Sequence, residues 1–289
     1  MSVGVLPGGY WDAEGRLHRD FELAVLTGRD EELLAEARAP RPAALVTEVL
    51  SRCVRRLGGV SPVPPEMVRG LLVADRQYLL LHLRRASFGD TVRAHLICPW
   101  AECGERVSLE FSLADVPVEE ARRRAPSHTM TLTAEPLEVT FRLPNGADQE
   151  ELAELSASNE AEALTSLLAR CVQRLGPDGD PPDQQRMAEL PAAARSEIEQ
   201  RMYELAPSVE QSMEARCVHC GRVIIAPLDI QRFFLGELRT DSGLLYREVH
   251  YLAYHYHWSE HEIMELTRDK RRTYIEVLAD AIEVLNSGA

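Results

Sequence analysis

Residues 23–58 of this chain lie over residues 141–176 without a gap, and this internal similarity constrains the fold more than any other feature. Gly28-Arg-Asp30-Glu-Glu32-Leu-Leu34-Ala35-Glu36 falls on Gly146-Ala-Asp148-Gln-Glu150-Glu-Leu152-Ala153-Glu154. Leu50-Ser-Arg52-Cys53-Val54-Arg-Arg56-Leu57-Gly58 falls on Leu168-Ala-Arg170-Cys171-Val172-Gln-Arg174-Leu175-Gly176. About half of the positions from Gly28 to Gly58 are identical, far above chance for an ungapped stretch. After a small shift the match continues, with Leu71 on Leu190, Arg76 on Arg195 and Cys98 on Cys217. A chain built this way folds as two similar units.

Each unit carries one pair of cysteines in a tight turn. The first is Cys98-Pro-Trp-Ala-Glu-Cys103-Gly104 and the second is Cys217-Val-His-Cys220-Gly221. His95-Leu96-Ile97 leads into the first turn and 107–111 leads out; Val223-Ile224-Ile225 follows the second. The Gly after each pair supplies a backbone position with φ > 0, which lets amide N–H groups point at sulfur. Four thiolates in tetrahedral array are what a structural zinc ion requires, so Cys98, Cys103, Cys217 and Cys220 are the expected ligands of one Zn2+ shared by the two units. The competing reading is two pairs of free, reduced, buried thiols, since Cys behaves as a small hydrophobe. The long gap between the pairs, unusual for a zinc ribbon, follows from the duplication. The ion then sits on a pseudo-two-fold axis and cross-links the halves. Cys53 and Cys171 fall on apolar helix faces and read as core.

The net charge of −14 argues against a nucleic-acid backbone as partner. Six cysteines fit a reducing cytoplasm, where Cys pairs read as metal sites. No apolar run is long enough to span a bilayer, and Met1-Ser-Val-Gly-Val lacks the basic and apolar regions of a signal peptide. Of 32 basic residues only Lys270 is lysine, a usage that says little about function.

The expected fold class is α+β: a tandem repeat of β-hairpin, helices and zinc-knuckle hairpin, then a helical module. The expected division is 1–118, 119–229 and 230–289. Residues 2–7 read as an edge strand, followed by a hairpin turning at Asp12 to Gly15, and Phe21, Leu23 and Val25 alternate as in a half-buried strand. Asp30 reads as an N-cap, with a helix to about Ala39 and a stop at Pro40-Arg-Pro42. The spacing predicts helices over 43–57 and 160–175, with Gly58-Gly59 as a C-cap, a short turn at 66–69 and a third helix over 73–86. Residues 119–125 read as an exposed helical linker. The second unit opens with two strands joined at Ala134-Glu-Pro136, has its first helix over 148–157 and its third over 192–205, and contains a Gly/Pro/Asp loop over 176–182. The tail from Ile230 has no counterpart in the first repeat. It reads as helices over 229–238 and 244–254, a capping box at Ser259-Glu-His-Glu262, and a last helix capped by Thr267 with Tyr274, Val277, Leu278, Ile282 and Leu285 as its apolar stripe. Arg268, Lys270, Arg271 and Arg272 form a basic shoulder, a solvated face that suits an acidic partner.

His250, His255, His257 and His261 lack the helical spacing with a carboxylate that marks catalytic zinc helices, and read as packing at a helix corner. There is no phosphate loop and no nucleophile elbow; Glu31-Glu32 and Glu150-Glu151 read as helix-start charges. A non-enzymatic protein is expected.

Three stretches resemble a known family: Phe21-Glu-Leu-Ala-Val-Leu-Thr-Gly-Arg-Asp-Glu-Glu-Leu-Leu34, Leu72-Val-Ala-Asp-Arg-Gln-Tyr-Leu-Leu-Leu81, and Arg84-Arg-Ala-Ser-Phe-Gly-Asp90 with the knuckle that follows. They are similar to the baseplate-hub assembly chaperones of T-even-like contractile phage tails, whose relatives occur with phage-tail-like contractile injection systems. Residues 248–266 resemble a small helical module of the same clusters. The resemblance implies a structural or chaperone role toward baseplate or hub proteins, in the bacterial cytoplasm or within the assembled particle. In the second repeat Pro191-Ala-Ala-Ala-Arg195 and Ala206-Pro-Ser208 depart from the pattern, so any partner surface made by Asp75 and Phe88-Gly89-Asp90 is expected in the first repeat alone. The rival reading is a zinc-ribbon regulator or nucleic-acid adaptor. It is weakened because Arg93, Arg106, Arg216 and Arg222 near the knuckles are balanced by Glu102, Glu105, Glu110 and Glu214.

Overall fold

The computed structural model describes residues 2–36, 42–133, 136–176, 179–210, 212–227 and 229–287. The expected end of the first helix near Ala39, the turn at Ala134 and Glu135, and the centre of the 176–182 loop lie outside these residues.

The chain opens with β1 (Ser2–Trp11) and β2 (Leu17–Leu23), joined at the expected Asp12–Gly15 turn. β1 runs through the predicted break at Pro7, and its register against β2 shifts between Val5 and Tyr10. Helix α1 (Gly28–Glu36) follows, then α2 (Pro42–Cys53) and β3 (Val54–Leu57), which completes a sheet of order β1-β2-β3. Asp30 is not the cap of α1. It is the third helical residue, and its carboxylate accepts from the N–H (2.9 Å) and hydroxyl (2.7 Å) of Thr27. The helix expected over 43–57 ends at Cys53, and Gly58-Gly59 follows a strand. Val54 and Leu57 are three apart and suit a helix stripe equally well; pairing of Phe21 with Leu57 and Leu23 with Val54 pulls them into the sheet.

Next come α3 (Pro65–Arg69), α4 (Val73–Phe88) and the hairpin β4 (Thr91–Ile97) and β5 (Arg106–Ser112). The predicted helical linker at 119–125 is absent: β6 (Val118–Glu119) is a strand and no helix follows it. The second half has β7 (His128–Thr131), β8 (Glu138–Phe141), α5 (Gly146–Ser158), α6 (Glu160–Cys171) and β9 (Val172–Leu175), a sheet of order β7-β8-β9. Here too the predicted helix yields its last turn to a strand. The register shifts between Thr140 and Phe141, as it does between Glu22 and Leu23. Then follow α7 (Gln184–Glu189), not anticipated, α8 (Ala192–Leu205), β10 (Ser208–Val209), which pairs with β6, and the hairpin β11 (Ser212–Arg216) and β12 (Val223–Pro227).

The tail is α9 (Ile230–Tyr256), one continuous helix where two were expected, then α10 (Glu260–Met264) and α11 (Arg268–Ser287). The capping box predicted at Ser259 and Glu262 is present. Ile230 and Phe234 of α9 join the first core, which is built by Phe21, Leu23, Leu50, Leu57, Leu79 and Leu83 among others. A second core centres on Val139, Phe141, Leu168, Ile198 and Met202.

Several residues expected at the surface are internal. Asp75 is fully buried and accepts from the N–H groups of Gly8 and Gly9, both at 2.8 Å. Those amides sit in the stretch of β1 that leaves the ladder, so they need a partner. Burial pushes the Asp75 carboxyl up to about 6 against the opposing pull of the two amides and Arg19. Phe88 packs edge-on to Phe234, with Arg268 stacked 4.4 Å above its ring. The basic shoulder of α11 is therefore split: Arg268 and Arg271 are buried and bond Glu31, and Arg271 also bonds Glu248. Glu31 is a buried anchor and not a solvated helix-start charge. The predicted apolar stripe of α11 is largely bare, with Val277 57% and Leu285 74% exposed.

Nor is the tail without counterpart. α10 and α11 start 195 residues after α3 and α4, and the hydrogen bonds of the turn recur with them. Gly70 N donates to Glu66 O and Leu71 N to Val68 O; Glu265 N donates to His261 O and Leu266 N to Ile263 O.

Candidate metal centre

The two hairpins bring their turns together. β4 and β5 pair from Thr91–Ser112 to Ile97–Arg106, and β11 and β12 from Ser212–Pro227 to Arg216–Val223. Each turn is closed by the first Cys, whose N–H donates to the carbonyl of the residue just before the return strand: Cys98 to Glu105 O and Cys217 to Arg222 O, both 2.9 Å. Gly104 and Gly221 have φ of 60° and 72°, the left-handed conformation expected of them.

The four predicted ligands meet. The Sγ atoms of Cys98, Cys103, Cys217 and Cys220 all lie within 4.8 Å of one another. Cys98 and Cys220 are 3.8 Å apart and Cys103 and Cys217 are 3.7 Å apart, two contacts that join opposite knuckles. A disulfide needs about 2.05 Å. A tetrahedral cation bound at about 2.3 Å holds its sulfurs roughly 3.8 Å apart, and this set fits it. Val107 and Ile224 close a small apolar cluster around Cys98 and Cys217. Two further contacts bridge the knuckles. The Trp100 indole N–H donates to Val223 O at 3.0 Å, and Arg222 bonds Glu102 at 2.6 Å while lying over the Trp100 ring.

The electrostatics suit a cation. The backbone N–H of Cys220, then that of His219, pull the Cys217 thiol down to about 6. Burial pushes the Cys98 thiol up to about 12, and Cys103 is raised, against the pull of the Glu105 N–H, by burial and then by the sulfurs of Cys217 and Cys220. Four sulfurs this close cannot all shed their protons unless a positive charge takes their place. The other two cysteines are apart from the cluster and buried in the cores, Cys53 1% and Cys171 0% exposed, where burial pushes each up to about 12. His250 and His255 pack on Tyr254 and Tyr251, and His261 contacts Arg29. Trp258 stacks on Tyr256 and meets Tyr274 edge-on at the helix corner.

The family model described as T4 bacteriophage base plate protein matches residues 17–235 of this chain. The chain belongs to that family. The base plate match takes in both knuckles and ends within α9, so α10 and α11 lie beyond it. Neither the curated proteins nor the solved structures yielded a match. Membership makes this a phage baseplate-related structural protein that assembles with other baseplate proteins. Among the described residues no helix is long and apolar enough to cross a membrane.

The structure also reveals residues that pattern reasoning missed. Asp75, Arg76 and Glu31 are buried charges that join elements distant in sequence. For Glu31 the sequence offered no distinguishing signal, since it is one of three mismatches between 28–36 and 146–154.

Proposed function

We propose that this base plate family protein is a non-enzymatic, zinc-clamped structural or assembly-chaperone subunit for the baseplate or hub of a phage-tail-like contractile injection system. The family match over residues 17–235 carries the reading. The sulfur cluster supports it, because a site of four cysteine ligands without an open position is structural, not catalytic. Its ligands come from both halves, so Zn2+ would hold them as one body. The shared strand order, matching register shifts and repeated knuckles support an origin by duplication. The knuckle tips offer a docking face for other baseplate chains: Ile97, Val218 and Ile225 are 70%, 80% and 71% exposed. Basic groups beside them are neutralised, Arg93 by Glu110 and Arg222 by Glu102, which disfavours a nucleic-acid partner.

Mass spectrometry of purified particles tests the role. The protein in particles marks a permanent component. Its absence from particles, with assembly lost on deletion, marks a chaperone. Normal particles made without the protein would refute both.

A further inference from the structure

Three pairs of helices in this chain are joined by short turns: α3 into α4, α7 into α8, and α10 into α11. Each second helix carries an arginine four residues after its capping position, Arg76, Arg195 and Arg271. Each of these arginines donates its backbone N–H to the capping residue's carbonyl, Leu72, Pro191 or Thr267.

Two of the three turns are docked on the start of another helix. In the first, Gly146 N donates to Leu71 O (3.0 Å) and Val73 N to Pro144 O (3.4 Å), an antiparallel bridge between Leu72 and Asn145 at the head of α5. In the other, Gly28 N donates to Leu266 O (3.1 Å), and Thr267 bridges Thr27 at the head of α1. Each bridge lies against a glycine, and beside that glycine lies the guanidinium of Arg76 or Arg271.

The third turn has no such occupant. Among the described residues no backbone hydrogen bond joins Leu190 O or Ala192 N to another element. Pro191 and Ala192 are exposed, whereas their counterparts Leu72 and Val73, and Thr267 and Arg268, are half-buried or buried. Yet the turn is held ready. Pro191 has φ −52° and ψ 143°, against −58° and 151° for the docked Leu72. Proline sets that φ by itself, and the bridging residue uses no N–H of its own, so proline suits the position.

We propose that the α7–α8 turn is a docking unit for a second copy of this chain, seated at the head of that copy's α1 in place of the copy's own α10–α11. Continuity selects this occupant. The first half's turn sits on the second half's helix start, so the second half's turn sits on the next first half. Charge agrees: the α1 site presents Glu31, which bonds Arg271 of the tail at 2.9 Å and would face Arg195 of an incoming turn. At α5 the equivalent residue is the neutral Gln149, and that site is already filled within the chain. Such contacts are head-to-tail, so uncapped copies would add one to the next, into chains or rings. The tail acts as the terminal cap that stops them, as end repeats do in solenoids.

The test uses the full chain carrying Arg268→Glu and Arg271→Glu, which sets carboxylates against Glu31 and expels the tail, with light scattering as readout. The expected result is a rise from the 32.4 kDa monomer to dimers and larger species as concentration increases. Adding Ala192→Glu, an exposed substitution that repels Glu31 from the docking turn, returns the mass to the monomer. If the double variant loses its helical circular dichroism, Arg271→Gln replaces it under the same criteria. A monomer at all concentrations overturns the proposal and leaves the turn to a different baseplate chain. Association that survives Ala192→Glu overturns it as well.

Discussion

The heads of α5 and α1 accept the same kind of helical turn and hold it by different means. At α5 the fit is tight, with Arg69 of α3 adding ion pairs to Glu150 (2.7 Å) and Glu151 (3.1 Å) at its rim. A Cβ on Gly146 would lie 2.3 Å from Arg76 Nη1 and 2.8 Å from the Arg69 carbonyl oxygen, and Arg76 itself bonds the carbonyls of Ala43 and Val68. At α1 the fit is looser and electrostatic. A Cβ on Gly28 would meet Met264 and Arg271 at 3.0–3.1 Å, and Glu31 and Glu248 carry the tail through Arg268 and Arg271. The reason lies in what stands behind each turn. α4 buries its apolar residues against its own sheet, with Leu79 and Leu83 fully buried, while α11 has no third sheet and leaves its stripe exposed. A turn that belongs to a core is registered by close packing, with ion pairs only at its rim. A turn without one needs charge, and charge can be released by a single proton or competitor.

The largest expected effect concerns the contact that joins the halves without using either turn. Cys217→Ser with Cys220→Ser should remove one zinc per chain, read by elemental analysis, and cost on the order of 5 kcal/mol or more in urea unfolding. Full retention of stability would mean that contacts other than the sulfur cluster hold the halves.

Next comes Glu31→Ala, which removes the carboxylate shared by two buried guanidinium groups, of which Arg271 keeps Glu248. Breaking such a pair costs about 3–5 kcal/mol. Hydrogen exchange should rise in α10 and α11 while β7 to β9 stay protected. Gln149→Ala, the same position at α5, should change stability by less than about 0.5 kcal/mol.

The two glycines sharpen the contrast further. Gly146→Ala forces a clash with backbone and should cost about 2–3 kcal/mol. Gly28→Ala meets contacts that can give by a few tenths of an ångström, and its better helix propensity offsets up to about 1 kcal/mol. Equal losses in chemical denaturation would erase the distinction between the two helix heads.

The last contrast is a difference in pH slope. Asp75 titrates at about 6 when folded, above its ordinary 3.8, so its contribution is fully present below about pH 4 and is lost as pH rises through 6, by at most about 3 kcal/mol. Asp148 has the opposite sign. Burial raises it, but Arg142, the Asn145 N–H and Arg170 outweigh that and hold it below 3.8, so its contribution is present above about pH 4 and fades as pH falls below. Asp75→Asn should flatten the stability profile between pH 4 and 6; an unchanged slope there would assign it to other groups.

Local chemistry was legible where it was self-sufficient. The knuckle hairpins, the Gly positions of their turns, the capping box at Ser259 and the repeated helix pairs follow from spacing and from residues that act on their near neighbours. The ends of α2 and α6 were not legible, because Val54 with Leu57 and Val172 with Leu175 satisfy a helix stripe and a strand end alike. Sheet pairing made the choice. The break assumed between Leu238 and Leu244 did not occur, since one helix spans it.

The sequence by itself pointed to the four cysteines that the fold brings within 4.8 Å of one another, and to the matching stretches 28–58 and 146–176 that each form helix, helix and strand, because residues acting on near neighbours set local structure. Only the tertiary structure decided which charges are internal and that α10–α11 repeats α3–α4. Those two turns share little beyond a leucine and an arginine five residues apart, Leu71 with Arg76 and Leu266 with Arg271. What they have in common is a backbone geometry and a binding place, and neither is set by side-chain pattern until another helix start supplies the N–H that completes the bridge.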